Sequence, residues 1–341
     1  MRRYFASVTL LLLSGILNTA AAQNLATVSE WDRSSAMAAV RSVNIDTAVA
    51  GISDLKDLEG LENRSDWPLP AREAAVYKFT RSLASLPRDA VATAVLQHLK
   101  TYQVQVLVPH EDYDDAIVPL FNIRGAAAGV ENGWLRDESA AEAREVLAQR
   151  PAALVAKYLE SSNHSQRSGY LDALANAEAS AVQAVQTEAL NQLGESPELT
   201  RLVAVTATAT GDPFATRRLL VDGRGAGLAP AFESLASRTT PAATAAMLEF
   251  ALEQAPAGNA ALAIAAWWPA LRSDAATRQL LIDKLADPAL GSSVALALAK
   301  SPDIQTIREL QRIAGGDSAA AQRAQLALNI NRAGLVGEVR K

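Results

Sequence analysis

The sequence predicts an all-α protein, and three observations support this class. Alanine accounts for 70 of the 341 residues, far above ordinary usage, and it has the highest helix propensity. Short amphipathic segments follow one another along the chain, each opened by a polar cap or a polar–proline pair. Similar segments also recur at a nearly constant spacing. Together these features predict an α-solenoid of stacked antiparallel helical hairpins.

The stretch from residue 273 to residue 332 shows the pattern most clearly. It contains four segments with apolar residues at helical spacing. Their starts are marked by polar or polar–proline pairs: Ser273-Asp274, Asp287-Pro288, Ser301-Pro302 and Asp317-Ser318. The pairs Ser196-Pro197, Asp212-Pro213 and Thr240-Pro241 predict further helix starts upstream.

Direct alignment of the chain with itself indicates repeats. Thr240–Leu248 matches Ser273–Leu281, and Ala261–Ala265 matches Ala295–Ala299, at nearly the same offset along the chain. A unit of this length holds two helices and cannot bury its apolar stripe alone. Stacking such units would bury it.

The segment Arg323-Ala-Gln-Leu-Ala-Leu-Asn resembles the second helix of the HEAT-like (armadillo-type) helical repeat family, in a short-repeat variety. The resemblance implies a HEAT-like superhelix over residues 136–332. It also implies that the protein binds other molecules, as such repeat proteins commonly do, and it implies no catalytic activity.

The rest of the chain divides by composition and pattern. We expect five segments: a signal peptide (1–22), N-terminal capping helices (23–67, two helices), a helical hairpin with an irregular insertion (68–135), the repeat solenoid (136–332) and a C-terminal tail (333–341).

The N-terminal segment 1–22 has the pattern of a cleavable signal peptide. Arg2 and Arg3 precede the apolar run Val8–Leu17, and three alanines end at Ala22, the predicted cleavage point. We therefore expect a bacterial-type exported protein, in the periplasm or secreted, with no membrane insertion after cleavage. Export by the general or the twin-arginine route stays open.

Charge and cysteine content exclude several classes. The chain has 32 basic and 37 acidic residues, a net charge of −5, which argues against nucleic acid as a partner. It has no cysteine, so it forms no disulfides and has no thiolate ligands for a metal.

Residues 102–115 break the helical pattern. Tyr102, Val104, Val106 and Val108 alternate with polar residues or Leu107, which predicts a short strand-like insertion. An acidic cluster at 110–115 contains one histidine, but the other two histidines are far away in sequence. We therefore predict no metal and no cofactor, a helix from residue 117 to Ala128, and a separate helix over Arg136–Gln149.

A partner-binding surface is predicted on this insertion and the segment after it. Aromatic residues and arginine dominate binding surfaces, and an irregular segment on a rigid scaffold often carries recognition. The candidates are Tyr102, His110, Tyr113, Arg124 and Trp134. Core packing for Trp134 and a structural ion pair for Arg124 are the alternatives.

Two further motifs have simple structural interpretations. Gly223-Arg-Gly-Ala-Gly227 lacks the lysine and serine of a phosphate loop, so we expect a turn between helices. Of the adjacent Trp267 and Trp268, we expect one indole in the core and one partly exposed.

No catalytic signature is present in the sequence, and no serine lies in a nucleophile elbow. We therefore expect a non-enzymatic HEAT-like scaffold that binds a protein or peptide partner in the periplasm or cell envelope. The alternative is an enzyme, or an enzyme accessory, that acts on an envelope polymer with a site around residues 102–135.

Overall fold

A computed structural model of the protein describes residues 29–113, 116–225, 227–301 and 303–338, with side chains as far as residue 332. The described residues form 18 α-helices and one small sheet, which confirms the predicted all-α class. The predicted signal peptide lies outside the described residues.

The chain forms two compact units, Met1–Glu131 and Asn132–Lys341, and the boundary falls within helix α6. The first unit contains β1 (Ser29–Glu30), α1 (Arg33–Arg41), α2 (Ile45–Ala50), α3 (Leu55–Glu62), α4 (Leu69–Ser82), α5 (Ala90–Lys100), β2 (Val106–Pro109), β3 (Ile117–Pro119) and the start of α6 (Ile123–Gln149).

The helices of the second unit follow one another closely after α6. They are α7 (Ala153–Glu160), α8 (His164–Leu174), α9 (Ala179–Gln192), α10 (Thr200–Thr210), α11 (Pro213–Asp222), α12 (Leu228–Ala236), α13 (Pro241–Gln254), α14 (Ala257–Leu271), α15 (Ala275–Asp283), α16 (Gly291–Ala299), α17 (Ile304–Ala314) and α18 (Ala319–Glu338).

Helix α4 is the centre of the first unit. Helices α1, α2 and α3 pack on it, and α5 packs on α3. Ala71, Ala74 and Ala75 of α4 are buried, and their small side chains allow these helices to approach closely. The predicted two capping helices are three, because the chain turns out of helix at Gly51 and restarts at the cap Asp54.

The insertion contributes β2 and β3 to a three-stranded sheet in the order β1-β2-β3, and β1 comes from the start of the described chain. β1 is parallel to β2, and β2 is antiparallel to β3, with Val108 opposite Val118. The predicted strand is therefore present, but it begins only at Val106. The prediction of a helix from Ile117 is wrong, because Ile117–Pro119 pairs with β2.

Helix α6 is one continuous helix of 27 residues, where the sequence suggested two. Gly129 and Gly133 lower its helix propensity by about 1 kcal/mol each relative to alanine. They do not end the helix, since no proline occurs between Ile123 and Gln149 to remove a backbone donor.

A buried carboxyl group, that of Glu73 on α4, attaches β2 to the first unit. Its side chain is fully buried and accepts hydrogen bonds from the backbone N–H groups of Gln105 and Val106, the latter at 3.3 Å. Burial raises the pKa of Glu73 to about 7, although the two N–H donors and Arg72 act in the opposite direction. The group therefore ionises near neutral pH.

The second unit consists of two rows of helices. In the first row α7, α9, α11, α13 and α15 contact one another in that order, and in the second row α8, α10, α12, α14, α16 and α18 do so. Contacts such as those of α9 with α10 and α13 with α14 join the rows. Within these two rows each helix thus packs on the next but one in the chain, whereas α17 packs on α18.

One hydrophobic core runs along the second unit. Its buried residues extend from Ala143 on α6 to Leu328 on α18 without a break into separate clusters. Trp267 and Trp268 are both in it, so the expectation that one indole is partly exposed is wrong. Their indole N–H groups donate to the backbone oxygens of Phe232 and Ala297 at 2.8 and 3.1 Å, which satisfies both polar groups inside the core.

Of the five polar–proline pairs, two begin an α-helix directly. Ser196-Pro197 begins a 3-10 turn before α10, and α16 begins at Gly291, three residues after Pro288. Asp212 and Thr240 cap α11 and α13 through their side chains, and each helix has a proline in its first turn. Helix α17 is capped by Asp303 rather than Ser301. Helix α18 continues to Glu338 and so includes most of the range expected to be a tail.

Replacing Glu73 tests the origin of pH-dependent stability in the first unit. In the folded protein the pKa of Glu73 is near 7, above the usual value of 4.5. The contribution of Glu73 to the free energy of unfolding is therefore complete below about pH 4.5 and falls as the pH rises through 7. Between about pH 5 and pH 8, we expect the free energy of unfolding of wild type to fall by up to about 3 kcal/mol more than that of Glu73→Gln. Urea unfolding at each pH measures this difference.

The matched control is Glu131→Gln, which changes a partly exposed carboxylate that pairs with Lys100. This variant should keep the wild-type pH dependence. An equal pH dependence in wild type and Glu73→Gln would contradict the assignment.

Candidate ligand-binding cleft

A cleft with a volume of about 870 Å³ lies on the second row of helices, between α8, α10 and α12. Each helix contributes side chains at helical spacing, so that one stripe of each faces the cleft. These residues include Arg167, Leu171 and the following Ala175 from α8, Arg201, Ala204, Val205 and Thr208 from α10, and Ala231, Ser234 and the following Arg238 from α12.

Local sequence positions the three helices. The side chain of Asn163 caps α8 by accepting from the N–H groups of Ser165 and Gln166. Helix α8 lies very close to α6, since a Cβ on Gly169 would lie 2.1 Å from the backbone oxygen of Arg136. Only glycine permits this approach, and it sets the position of one wall of the cleft.

Four arginines line the cleft: Arg167, Arg201, Arg224 and Arg238. Two carboxylates, those of Asp172 and Glu198, also line it, so four positive and two negative groups give a formal charge of +2. The whole chain has a net charge of −5. The cleft is therefore a positively charged region on an acidic protein.

Arg167 is held in place by its neighbour Tyr158. Its Nε donates to the backbone oxygen of Tyr158 at 3.2 Å, and its guanidinium carbon lies 5.3 Å from the centre of the tyrosine ring. Among the described residues its two terminal amino groups have no hydrogen-bond partner. Arg167 therefore presents free donors in a fixed position.

The loop that carries Arg224 is anchored to the helices on both sides. The N–H of Arg224 donates to the hydroxyl of the buried Thr200 at 3.0 Å. Asn259 donates to the backbone oxygens of Leu220 and Gly223 at 2.9 and 3.0 Å. Gly225 has a φ of 84°, which favours glycine, and it turns the chain toward α12.

The charges of the cleft arginines are not neutralised by carboxylates of the part of the chain that the structure describes. Arg201, Arg224 and Arg238 are exposed and form no ion pair there. Asp172, in contrast, is paired with Arg136 of α6, whose Nη2 lies 2.9 Å from Oδ1 of Asp172.

Burial raises the pKa of Tyr158, against the opposing effect of Arg167 and Arg201, so its phenol stays neutral.

The predicted contact residues do not all reach the surface. Tyr102 and Trp134 are buried, with 9% and 4% exposure, so they cannot serve as contact residues. For Trp134 this is the core role left open by the sequence. His110 and Tyr113 lie together, with ring centres 4.9 Å apart, and Tyr113 is exposed. Arg124 is exposed and has no ion pair among the described residues.

The acidic loop around His110 has a structural arrangement of its own. The N–H of Asp112 donates to Nδ1 of His110 at 3.0 Å, and Glu111 pairs with Arg33 at 3.2 Å. Asp114 and Asp115 lie outside the described residues. In the described ranges no group of three or more histidine, aspartate or glutamate side chains could hold a metal ion.

Sequence reasoning missed the cleft. It identified residues 223–227 as a turn, and the described residues of this segment do connect α11 to α12. It gave Arg224 no role, because the four arginines are scattered along the chain from position 167 to position 238. The four arginines could have been identified by counting arginines on the exposed face of every second predicted helix.

No family model, no curated protein and no solved structure matches the chain. Within the described ranges, every helix is too short or too polar to cross a membrane.

Replacing Thr200 by valine tests the anchoring of the arginine loop. Valine keeps the shape of threonine but removes the acceptor for the N–H of Arg224. We expect a loss of about 1 kcal/mol in the free energy of unfolding and faster hydrogen exchange of the Arg224 amide.

Thr208→Val is the matched control on the same helix. Among the residues that the structure describes, the hydroxyl of Thr208 donates only within α10, to the oxygen of Ala204. Its replacement should leave exchange at Arg224 unchanged, and equal acceleration in both variants would argue against a specific anchor.

Proposed function

We propose that the protein is an exported, non-enzymatic HEAT-like repeat scaffold that binds a protein or peptide partner in the cleft between α8, α10 and α12. This proposal rests on one observation: three successive helices of one row contribute side chains to a single cleft. Partner binding across neighbouring units of one row is what helical repeat proteins offer.

The arrangement of helices supports the solenoid part of the proposal. Within the two rows of the second unit each helix packs on the next but one, and the rows share one core. A stack of helical hairpins would have these contacts, because each hairpin then touches only its neighbours. The recurrence of similar segments at a nearly constant offset in the sequence agrees with such a stack.

The chemistry of the lining supports binding rather than catalysis. Arginine stays protonated under all ordinary conditions, so four of the ionisable groups in the cleft cannot exchange protons with a substrate. Asp172 is held in an ion pair with Arg136. The cleft also contains Glu198 and His164, both at its exposed rim, and neither is hydrogen-bonded to a nucleophile among the described residues.

Site-specific photo-crosslinking tests the proposal in the producing cell. A photoreactive amino acid replaces Ala209, an exposed residue of α10 that lines the cleft. We expect a discrete crosslinked product that contains a second protein and that is recovered from the periplasmic fraction. The product should be lost when Ser234, an exposed residue of α12 that lines the cleft, is changed to tryptophan.

The control position is Gln183, which is exposed on α9 in the other row of helices. It should give no such product. Equal crosslinking from both positions, or none from position 209, would contradict a partner site in the cleft.

A further inference from the structure

We propose that the segment bound in the cleft is an extended, acidic stretch of the partner's polypeptide, held by Arg167, Arg201, Arg224 and Arg238. This inference rests on the proposed function and names the chemistry of the partner at the same site. The observation behind it is the convergence of four arginines, without neutralising carboxylates among the described residues, on one cleft.

Charge complementarity selects the class of ligand. The cleft has a formal charge of +2 on a chain with a net charge of −5, so the surrounding protein repels anions while the cleft attracts them. Guanidinium groups bind carboxylates through paired hydrogen bonds. Arg167 already has its Nε occupied by Tyr158, which leaves its terminal amino groups to bind an acceptor.

The two carboxylates of the lining do not cancel this preference. Asp172 is paired with Arg136, and Arg136 is outside the cleft lining. The negative charge of Asp172 is therefore compensated by a residue that does not line the cleft. Glu198 is exposed at the end where α10 begins. Their positions favour an acidic ligand that passes along the arginines rather than one that covers the whole lining.

The dimensions and the floor of the cleft favour an extended chain. Neighbouring packed helices are about 8–10 Å apart, so the distance from α8 across α10 to α12 is about 16–20 Å. An extended chain of about five or six residues covers that distance. The floor on α10 and α12 is made of small side chains, among them Ala204, Thr208 and Ala231, which leave room for a backbone.

The lining does not suit a nucleic acid. Single-stranded nucleic acids bind to grooves in which exposed aromatic rings stack on the bases. The lining contains two aromatic rings, that of Tyr158, a residue only 2% exposed, and that of the exposed His164, so it offers no row of rings on which successive bases could stack. The net negative charge of the chain also opposes a long polyphosphate backbone outside the cleft.

Fluorescence anisotropy with synthetic peptides tests the inference. The probe is a peptide of about eight residues that alternates glutamate and serine, compared with glutamine–serine and lysine–serine analogues carrying the same dye. We expect the acidic peptide to bind at least about tenfold more tightly than the glutamine analogue. The affinity should fall as salt is raised from about 50 to about 500 mM.

Charge reversal assigns the binding to the cleft. Arg201→Glu should weaken the acidic peptide at least about tenfold, because it removes one donor and adds a repulsive charge. Arg308→Glu, the matched control, makes the same change of charge at an exposed residue of α17 that is outside the cleft lining. It should alter the affinity by less than about twofold. Circular dichroism melting checks that both variants are folded.

Three results would overturn the inference: equal affinity for the acidic and glutamine peptides, equal effects of the two charge reversals, or tighter binding of an oligothymidylate of about eight nucleotides. A crosslinked partner at position 209 together with any of these would leave the scaffold proposal in place and remove only the acidic class.

Discussion

The structure depends on close packing of short helices through small side chains. Most helices of the second unit are no longer than α14 (Ala257–Leu271), a length that is marginal for an isolated helix in water. Buried alanines such as Ala204, Ala207 and Ala260 allow neighbouring helices to approach and bury their leucines together. At Gly169 even a single methyl group would collide with the backbone of α6. Stability is thus a property of the shared core and not of any one helix.

This packing also determines the candidate site. Arg167, Arg201 and Arg238 project from three helices or their ends, and each is separated from the next by a complete helix of the other row. They line one cleft only because α8 packs on α10 and α10 packs on α12. Arg224 joins them because Thr200 and Asn259 hold its loop. A site built on packed helices keeps its donors in place before a ligand arrives, which lowers the entropic cost of binding.

The local features of the fold were predictable from sequence, whereas the long-range ones were not. Asp212-Pro213 and Thr240-Pro241 mark helix starts because capping and proline act within one turn of helix. The continuity of α6 through Gly129 and Gly133 was missed, since the packing of a helix outweighs its intrinsic propensity. Tyr102 and Trp134 fit the composition of a binding surface, but composition does not tell which side of a helix or strand faces the core. The arginines of the cleft meet only through tertiary packing, so no spacing within one segment indicates them.

We propose that packing in one row makes α8, α10 and α12 a single binding surface. Hydrogen–deuterium exchange of the whole protein with and without the acidic peptide tests it most directly. If the three helices bind the peptide together, exchange slows in residues 164–174, 200–210 and 228–236 at once and does not change in α14 (Ala257–Leu271) or α16 (Gly291–Ala299). Protection confined to one of the three segments, or found instead in α14 and α16, would contradict it.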